Sequence, residues 1–579
     1  MPEVPLLLPY PRKLTFTDGV FEGDTLDRTV AYRVDSEIVP QGYRLHIRPG
    51  GISIDHSDRI GADYARRTLT QLSMHYGKSI PAMDIEDAPD FARRGVMLDC
   101  SRDRVPQMKT LYTLVDKLAS WKINELQLYM EHTFAYDGHR DVWEKASPFT
   151  PSDIQALDDY CRTRHIDLVP CQSTLGHMER WLKHARYHNL AETPEGFLPP
   201  WENLGRIRPP STLAPLDPGS FQLVAGLFDQ LIPAFSSQHV NICGDEPWEL
   251  GMGKSRAAVE EQGGRVYFDY LMKVYQHLKA KGKRVQFWAD IITKYADLVP
   301  ELPLDIIPLV WGYEAWEPSE HQIQLVSESG LEFYVCPGTS SWNSLVGRTD
   351  NTLDNLRLAA DLGQTYRAMG YLITDWGDNG HWQALPISYL GFAFGAGMGW
   401  YAAGNRDMNV PEVLNRFAFE DDAGVMGKIA YDLGNLYKLI PLPQHNSHWL
   451  FTALQYSDAE LRKRYDLLIQ ENGAEPLPAG IVRAIMNEIR TLLDGIQDAD
   501  LREEDALVKA EYRQACELLL HGAKRLLRLL GESNESDATL KEELKRLIAR
   551  QKTLWLERSR PGGLDDSLER FTPALQSYS

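Results

Sequence analysis

Between residues 94 and 376 the chain repeats one theme eight times: a short apolar run, rich in β-branched or aromatic residues, ends in polar residues and yields to a helical stretch. The runs fall at 94–100, 124–131, 166–172, 239–245, 284–290, 305–311, 331–337 and 370–376. Between them the spacing predicts helices at 108–121, 151–164, 265–281 and 353–369. Eight strand-then-helix units in about 310 residues are the arithmetic of an α/β fold closed as a (β/α)8 TIM barrel. The rival is a doubly wound open sheet. It would usually carry a glycine-rich phosphate turn after its first strand, and Asp99-Cys-Ser-Arg-Asp-Arg is not one.

The flanks differ from the centre. Residues 1–92 alternate short β-like runs, such as 44–48 and 51–54, with a helical stretch at 59–76, which predicts a small N-terminal α+β domain. The barrel occupies 93–404. From 405 to 579 the strand signals stop, and amphipathic stretches at 458–472, 479–496, 503–530 and 539–558 predict an α-helical region packed on the barrel. Such a bundle either completes a site or mediates self-association as a homo-oligomer. The tail from Arg560 is a loop or a return toward the barrel.

Charge and cysteine content narrow the partners. Lys and Arg total 61 against 81 Asp and Glu, a formal charge of −20, which repels phosphate backbones and excludes nucleic acid as a natural partner. No run approaches the ~20 uninterrupted apolar residues of a membrane span. The six cysteines show no C-x-x-C spacing and read as reduced core thiols. With no basic leader before Leu6-Leu-Leu, the expectation is a cytoplasmic protein.

In a barrel of this kind the reacting groups sit where strands end. Strand one ends near Asp99 and starts at Arg94; strand two ends in Glu131-His132; strand three runs into Gln172 and then Gly176-His177. Strand four ends in Asp245-Glu246, strand five in Trp288 and Asp290, strand six in Trp311, and strand eight in Asp375-Trp376-Gly377-Asp378. Strand seven, running to Trp342, offers no carboxylate.

Arg94-Gly-Val-Met-Leu-Asp-Cys-Ser-Arg on strand one, Gly176-His177, Gly244-Asp245-Glu246 and the tryptophans at 288, 311 and 376 together resemble glycoside hydrolase family 20, the exo-acting β-N-acetylhexosaminidases, over residues 1 to about 400. The resemblance implies a retaining, substrate-assisted reaction on a glycoside or glycan non-reducing end, with no metal or organic cofactor. The 2-acetamido oxygen of the sugar attacks its own C1 to give an oxazolinium ion. Asp245 would orient the acetamido group and balance its developing charge; Glu246 would protonate the leaving oxygen and then activate water. Arg94 would bind sugar hydroxyls, and His177 would position the acid through Glu131 or His132. Trp288, Trp311 and Trp376 would wall the acetamido pocket, Asp378 would hold outer hydroxyls, and Tyr334 or Trp342 would donate to the acetamido oxygen. The family usually has His-x-Gly-Gly-Asp-Glu where this chain has Asn241-Ile-Cys-Gly-Asp-Glu, and an Asp-Asp pair where it has Glu131-His132. Those changes bear on the sugar epimer and suggest a branch selective for β-GalNAc over β-GlcNAc.

Plainer readings stand beside these. Asp99 and Asp290 are as well explained as helix caps. Gly251-Met-Gly-Lys-Ser looks like the end of a phosphate loop, but Trp248 stands where its first glycine is needed. His184 and His188, four apart, lack a third metal ligand. A sugar-binding barrel that has lost catalysis and a metal-dependent barrel hydrolase remain the alternatives.

Overall fold

The structure is a computed structural model that describes residues 2–23, 30–200, 202 and 205–578. The first unit is a five-stranded sheet in the order β1-β5-β3-β4-β2, formed by β1 (Lys13–Glu22), β2 (Val30–Val34), β3 (Tyr43–Arg48), β4 (Gly51–His56) and β5 (Ser79–Asp87). Alternation in β3 turns Tyr43, Leu45 and Ile47 inward. The helix Arg59–Tyr76 covers that face with Tyr64, Ala65, Leu69 and Leu72. Asp58 caps it by accepting from the Gly61 amide, and Gly77, at φ 67°, ends it.

A closed parallel barrel follows: β6 (Arg93–Asp99), β7 (Glu125–Met130), β8 (Asp167–Gln172), β9 (His239–Asn241), β10 (Arg284–Trp288), β11 (Ile307–Trp311), β12 (Tyr334–Cys336) and β13 (Gly370–Asp375). Its lumen is filled by Met97, Tyr129, Cys171, Cys243, Ile307, Leu309, Cys336 and Leu372, while the outward residues join the core beneath the helices. Two strands are shorter than the apolar runs predict. β9 stops at Asn241 because the Asn241 side chain accepts the Cys243 amide at 2.9 Å and turns the chain. β12 stops at Cys336 because Pro337 has no amide hydrogen to give a neighbour.

The last barrel helix, Tyr389–Asn405, leads into helices at Trp449–Gln455, Asp458–Asn472, Ala479–Gly495, Asp505–Leu529 and Asp537–Arg558. They share one continuous apolar core with the barrel. The tail does return: the Arg560 amide donates to the Val105 carbonyl at 2.8 Å, and Phe571 stacks on Trp382 at 3.7 Å between ring centroids. Among the described residues no helix is long and apolar enough to cross a membrane.

Candidate active site

After β9 the backbone enters the left-handed region at Cys243 (φ 54°), Gly244 (φ 83°) and Glu246 (φ 43°), which swings Asp245 and Glu246 over the carboxyl end of the barrel. Gly176 makes this possible from the neighbouring loop, since a Cβ there would lie 2.3 Å from the Asp245 carbonyl oxygen. The next residue, His177, places Nε2 3.2 Å from Asp245 Oδ2 and 3.5 Å from Glu246 Oε2. The angles miss those of a hydrogen bond, so the contact is electrostatic. Burial opposes charge on this ring, but the two carboxylates outweigh it and hold the His177 pKa well above its ordinary value.

Both acids face a cavity of about 580 Å³. One wall is aromatic. Trp288 and Trp376 stand 6.0 Å apart, Trp311 stacks on Tyr313 at 5.1 Å, and Trp376 Nε1 donates to the Tyr313 hydroxyl at 2.8 Å. Because that hydroxyl accepts from Trp376, its own proton is left for another acceptor. Arg102 lies over that wall, with Nη1 3.1 Å from Asp99 Oδ2, Nε 3.3 Å from Asp378 Oδ1, and its guanidinium 4.6 Å from the Trp376 ring centroid. Beneath it, burial pushes Glu131 up to about 7 against the opposing pull of Arg102 and His177, and Tyr129 donates to Glu131 Oε1 at 3.1 Å. Asp290 lies below the acid pair. Its Oδ2 accepts the Glu246 amide at 3.3 Å, and burial, reinforced by Asp245 and Glu246, pushes its carboxyl up to about 8.

The profile of the "Glycosyl hydrolase family 20, catalytic domain" matches residues 91–343, and that of "Glycosyl hydrolase family 20, domain 2" matches residues 22–88. The chain belongs to glycoside hydrolase family 20. It is 26% identical over 277 residues to a β-hexosaminidase of Akkermansia muciniphila, covering 43% of this chain and 55% of that protein. A lacto-N-biosidase of Bifidobacterium bifidum is 22% identical over 315 residues, covering 52% of this chain and 27% of that one. The chain therefore matches little more than half the length of one of these relatives and about a quarter of the other. A chitobiase structure from Flavobacterium johnsoniae superposes with a TM-score of 0.58 at 18% identity, covering 97% of this chain and 98% of that chain. At that identity the likeness speaks to the fold.

Against a family 20 barrel, four expectations need correction. Arg94 is fully buried at the start of β6, the opposite end from the acids, where Nη1 donates to the Phe91 carbonyl and Nη2 to the Tyr64 hydroxyl. It braces the N-terminal domain, and Arg102 is the arginine of this segment that lines the cavity. Tyr334 sits at the same far end, donating to Glu125 Oε2 at 3.0 Å and accepting from Arg93. Trp342 stands behind Tyr313, edge-on at 5.2 Å, rather than on the cavity wall. His132 points away into a separate cavity of about 370 Å³ beside Arg180, Lys183 and Pro561, and burial lowers its pKa to about 3. Glu131 does not line the cavity and lies behind Arg102, whose Nε is 3.9 Å from its Oε1. Asp245, Glu246, His177, Trp288, Trp311, Trp376 and Asp378 converge on the acid end.

Asp99 and Asp290 are not helix caps. The first closes a turn, accepting the Ser101 and Arg102 amides, and the second holds the Glu246 amide. Neither His184 nor His188 gathers a ligand set: His184 faces Asp141 at 4.0 Å, and His188 Nδ1 lies 3.1 Å from the Leu182 carbonyl. Sequence reasoning missed Arg102 and Tyr313. The strand-end rule contained the signal for Arg102, since Arg94 opens its strand whereas Arg102 follows the end of it. Tyr313 lies two residues beyond Trp311 on the same strand end, and the same rule extended by two positions finds it.

Proposed function

We propose that the protein is an exo-acting β-N-acetylhexosaminidase that removes terminal β-linked GlcNAc or GalNAc by a retaining, substrate-assisted mechanism. The observation that carries this reading is the Asp245–Glu246 pair, bridged by His177, facing a cavity walled by indole rings. The aromatic cage suits the methyl of an acetamido group, and the Tyr313 hydroxyl suits its oxygen. Asp245 then takes the amide N–H and balances positive charge as the amide oxygen closes on C1. Glu246 gives its proton to the departing oxygen and recovers it from the water that opens the oxazolinium. Arg102 and Asp378, already paired, present a donor fork and an acceptor to the outer hydroxyls. Selectivity for β-GalNAc is part of the proposal, motivated by Asn241-Ile-Cys and Glu131-His132 in place of the family's usual residues. Six cysteines, all unpaired and buried, suit a reducing compartment, and we extend the proposal to the cytoplasm.

The test is turnover of chromogenic β-glycosides. Glu246→Gln and Asp245→Asn should each lose about 10²–10⁴-fold in kcat with folding intact, and the glycoside lacking the 2-acetamido group should be a very poor substrate. Equal turnover of a plain β-glucoside would contradict substrate assistance, and a GlcNAc-to-GalNAc ratio above one would remove the epimer preference.

A further inference from the structure

The cavity extends beyond what the acid pair and its aromatic cage use. Its outer half is built from Trp248, two residues after Glu246, from Arg208, and from Tyr456 and Arg464 of the C-terminal region. Trp248 follows Glu246 on the same loop, so this part of the cavity adjoins the group that would protonate a leaving oxygen. The charges on this wall are unevenly spent. Arg206 and Arg462, which do not line the cavity, pair with Glu460 and Asp466, and the Arg206 guanidinium lies 5.3 Å from the Tyr456 ring centroid. Glu317 accepts the Tyr313 and Glu314 amides and faces His445 at 4.0 Å. Glu202, which also borders the cavity, has an interaction of its own. By contrast, neither Arg208 nor Arg464 has a carboxylate within 4.0 Å among the described residues. The Arg464 guanidinium lies 5.4 Å from the Tyr456 ring centroid, and its Nε is buried without a hydrogen-bond partner. In a chain of net charge −20, two guanidinium groups without a carboxylate partner lining one cavity are a local exception to the prevailing field.

We propose that this outer half is a leaving-group subsite selecting an anionic aglycone, a uronic acid or a sulfated sugar, with Arg208 and Arg464 holding the anion, Tyr456 holding Arg464 in place and Trp248 packing on the ring. Planar guanidinium donors fit carboxylate and sulfate oxygens, and aromatic faces fit the apolar face of a pyranose. The inference rests on the hexosaminidase reading and names the substrate class for the same site.

Three disaccharides of identical linkage separate the possibilities: β-N-acetylhexosamine on glucuronate, on a 6-sulfated hexose and on the neutral hexose, with a neutral aryl glycoside as the reference for catalysis. The kcat/KM for at least one anionic disaccharide should exceed that of the neutral one by about tenfold, and the double variant R208Q/R464Q should bring the ratio close to one. Preference for glucuronate or for the sulfated sugar identifies which anion is held, and either supports the subsite. A ratio near one in the wild-type protein, or a ratio unmoved in R208Q/R464Q, overturns the inference while leaving the hexosaminidase reading in place. No turnover of the aryl reference removes that reading and the inference with it.

Discussion

At the scale of single residues, two arginines eight positions apart illustrate how barrel polarity assigns roles. Arg94 is fully buried and Arg102 half-buried, and each lies against a tryptophan, Trp400 for one and Trp376 for the other, yet they occupy opposite ends of the barrel. Arg102→Met should lower kcat/KM on an aryl N-acetylhexosaminide by tenfold or more, mainly through KM. Arg94→Met should cost about 1–3 kcal/mol of stability, read from urea unfolding, with KM unmoved. Asp290 gives a second residue-level prediction. Its folded-state pKa, about 8, lies above the unfolded value, so the native state holds a proton that the unfolded chain releases. Stability from this group is full below the ordinary carboxylate pKa, declines as pH rises, and is lost once pH passes about 8. Asp290→Asn should remove that slope: the urea midpoint of the wild type should fall between pH 5 and pH 8 relative to the variant's.

At the scale of elements, the site depends on the meeting of two loops. Gly176 lies so close to the Asp245 carbonyl that any side chain there must push the 245–246 segment aside. Gly176→Ala should cost about 1–3 kcal/mol and depress kcat, because the displaced backbone carries both acids. Recovery of full kcat in that variant would contradict the close approach. The same loops show what sequence alone could reveal. Eight apolar runs made the barrel legible, and the helix at Arg59–Tyr76 ends where its periodicity and Gly77 place it. Strand polarity was legible as well, and it put Asp245, Glu246, Trp288, Trp311 and Trp376 at one end. What periodicity does not encode is where a run leaves the sheet. Asn241 bends the chain with its side chain, an option available to any asparagine and exercised only in context. Tyr334 and His132 were misplaced for different reasons: Tyr334 opens β12 rather than ending it and so faces the lumen at the far end, whereas His132 follows β7, where the direction of a side chain depends on local geometry that periodicity does not encode.

At the scale of the whole molecule, the barrel and the C-terminal region form one folding unit, because a single apolar core runs from Leu111 and Val115 through Leu390 and Phe419 to Tyr512, Leu519 and Phe571. Calorimetry should therefore show the barrel and the C-terminal helices unfolding in one transition, and a separately melting C-terminal region would contradict the shared core. The sequence foresaw a helical region there but not that residues 445–464 would reach the cavity, since helical periodicity says which face is buried and nothing of what it is buried against. The end of the chain has a further effect on the site. Trp382, stacked on Phe571 and bonded to the Ser567 carbonyl, sits just past the loop that carries Trp376 and Asp378, and Ser567 also bonds the Gly380 carbonyl within that loop. The chain must therefore be made through Phe571 before the loop that carries Trp376 and Asp378 has its final support. All eight barrel strands, the last of them Gly370–Asp375, thus precede by a long stretch of chain the residues that hold this loop in place.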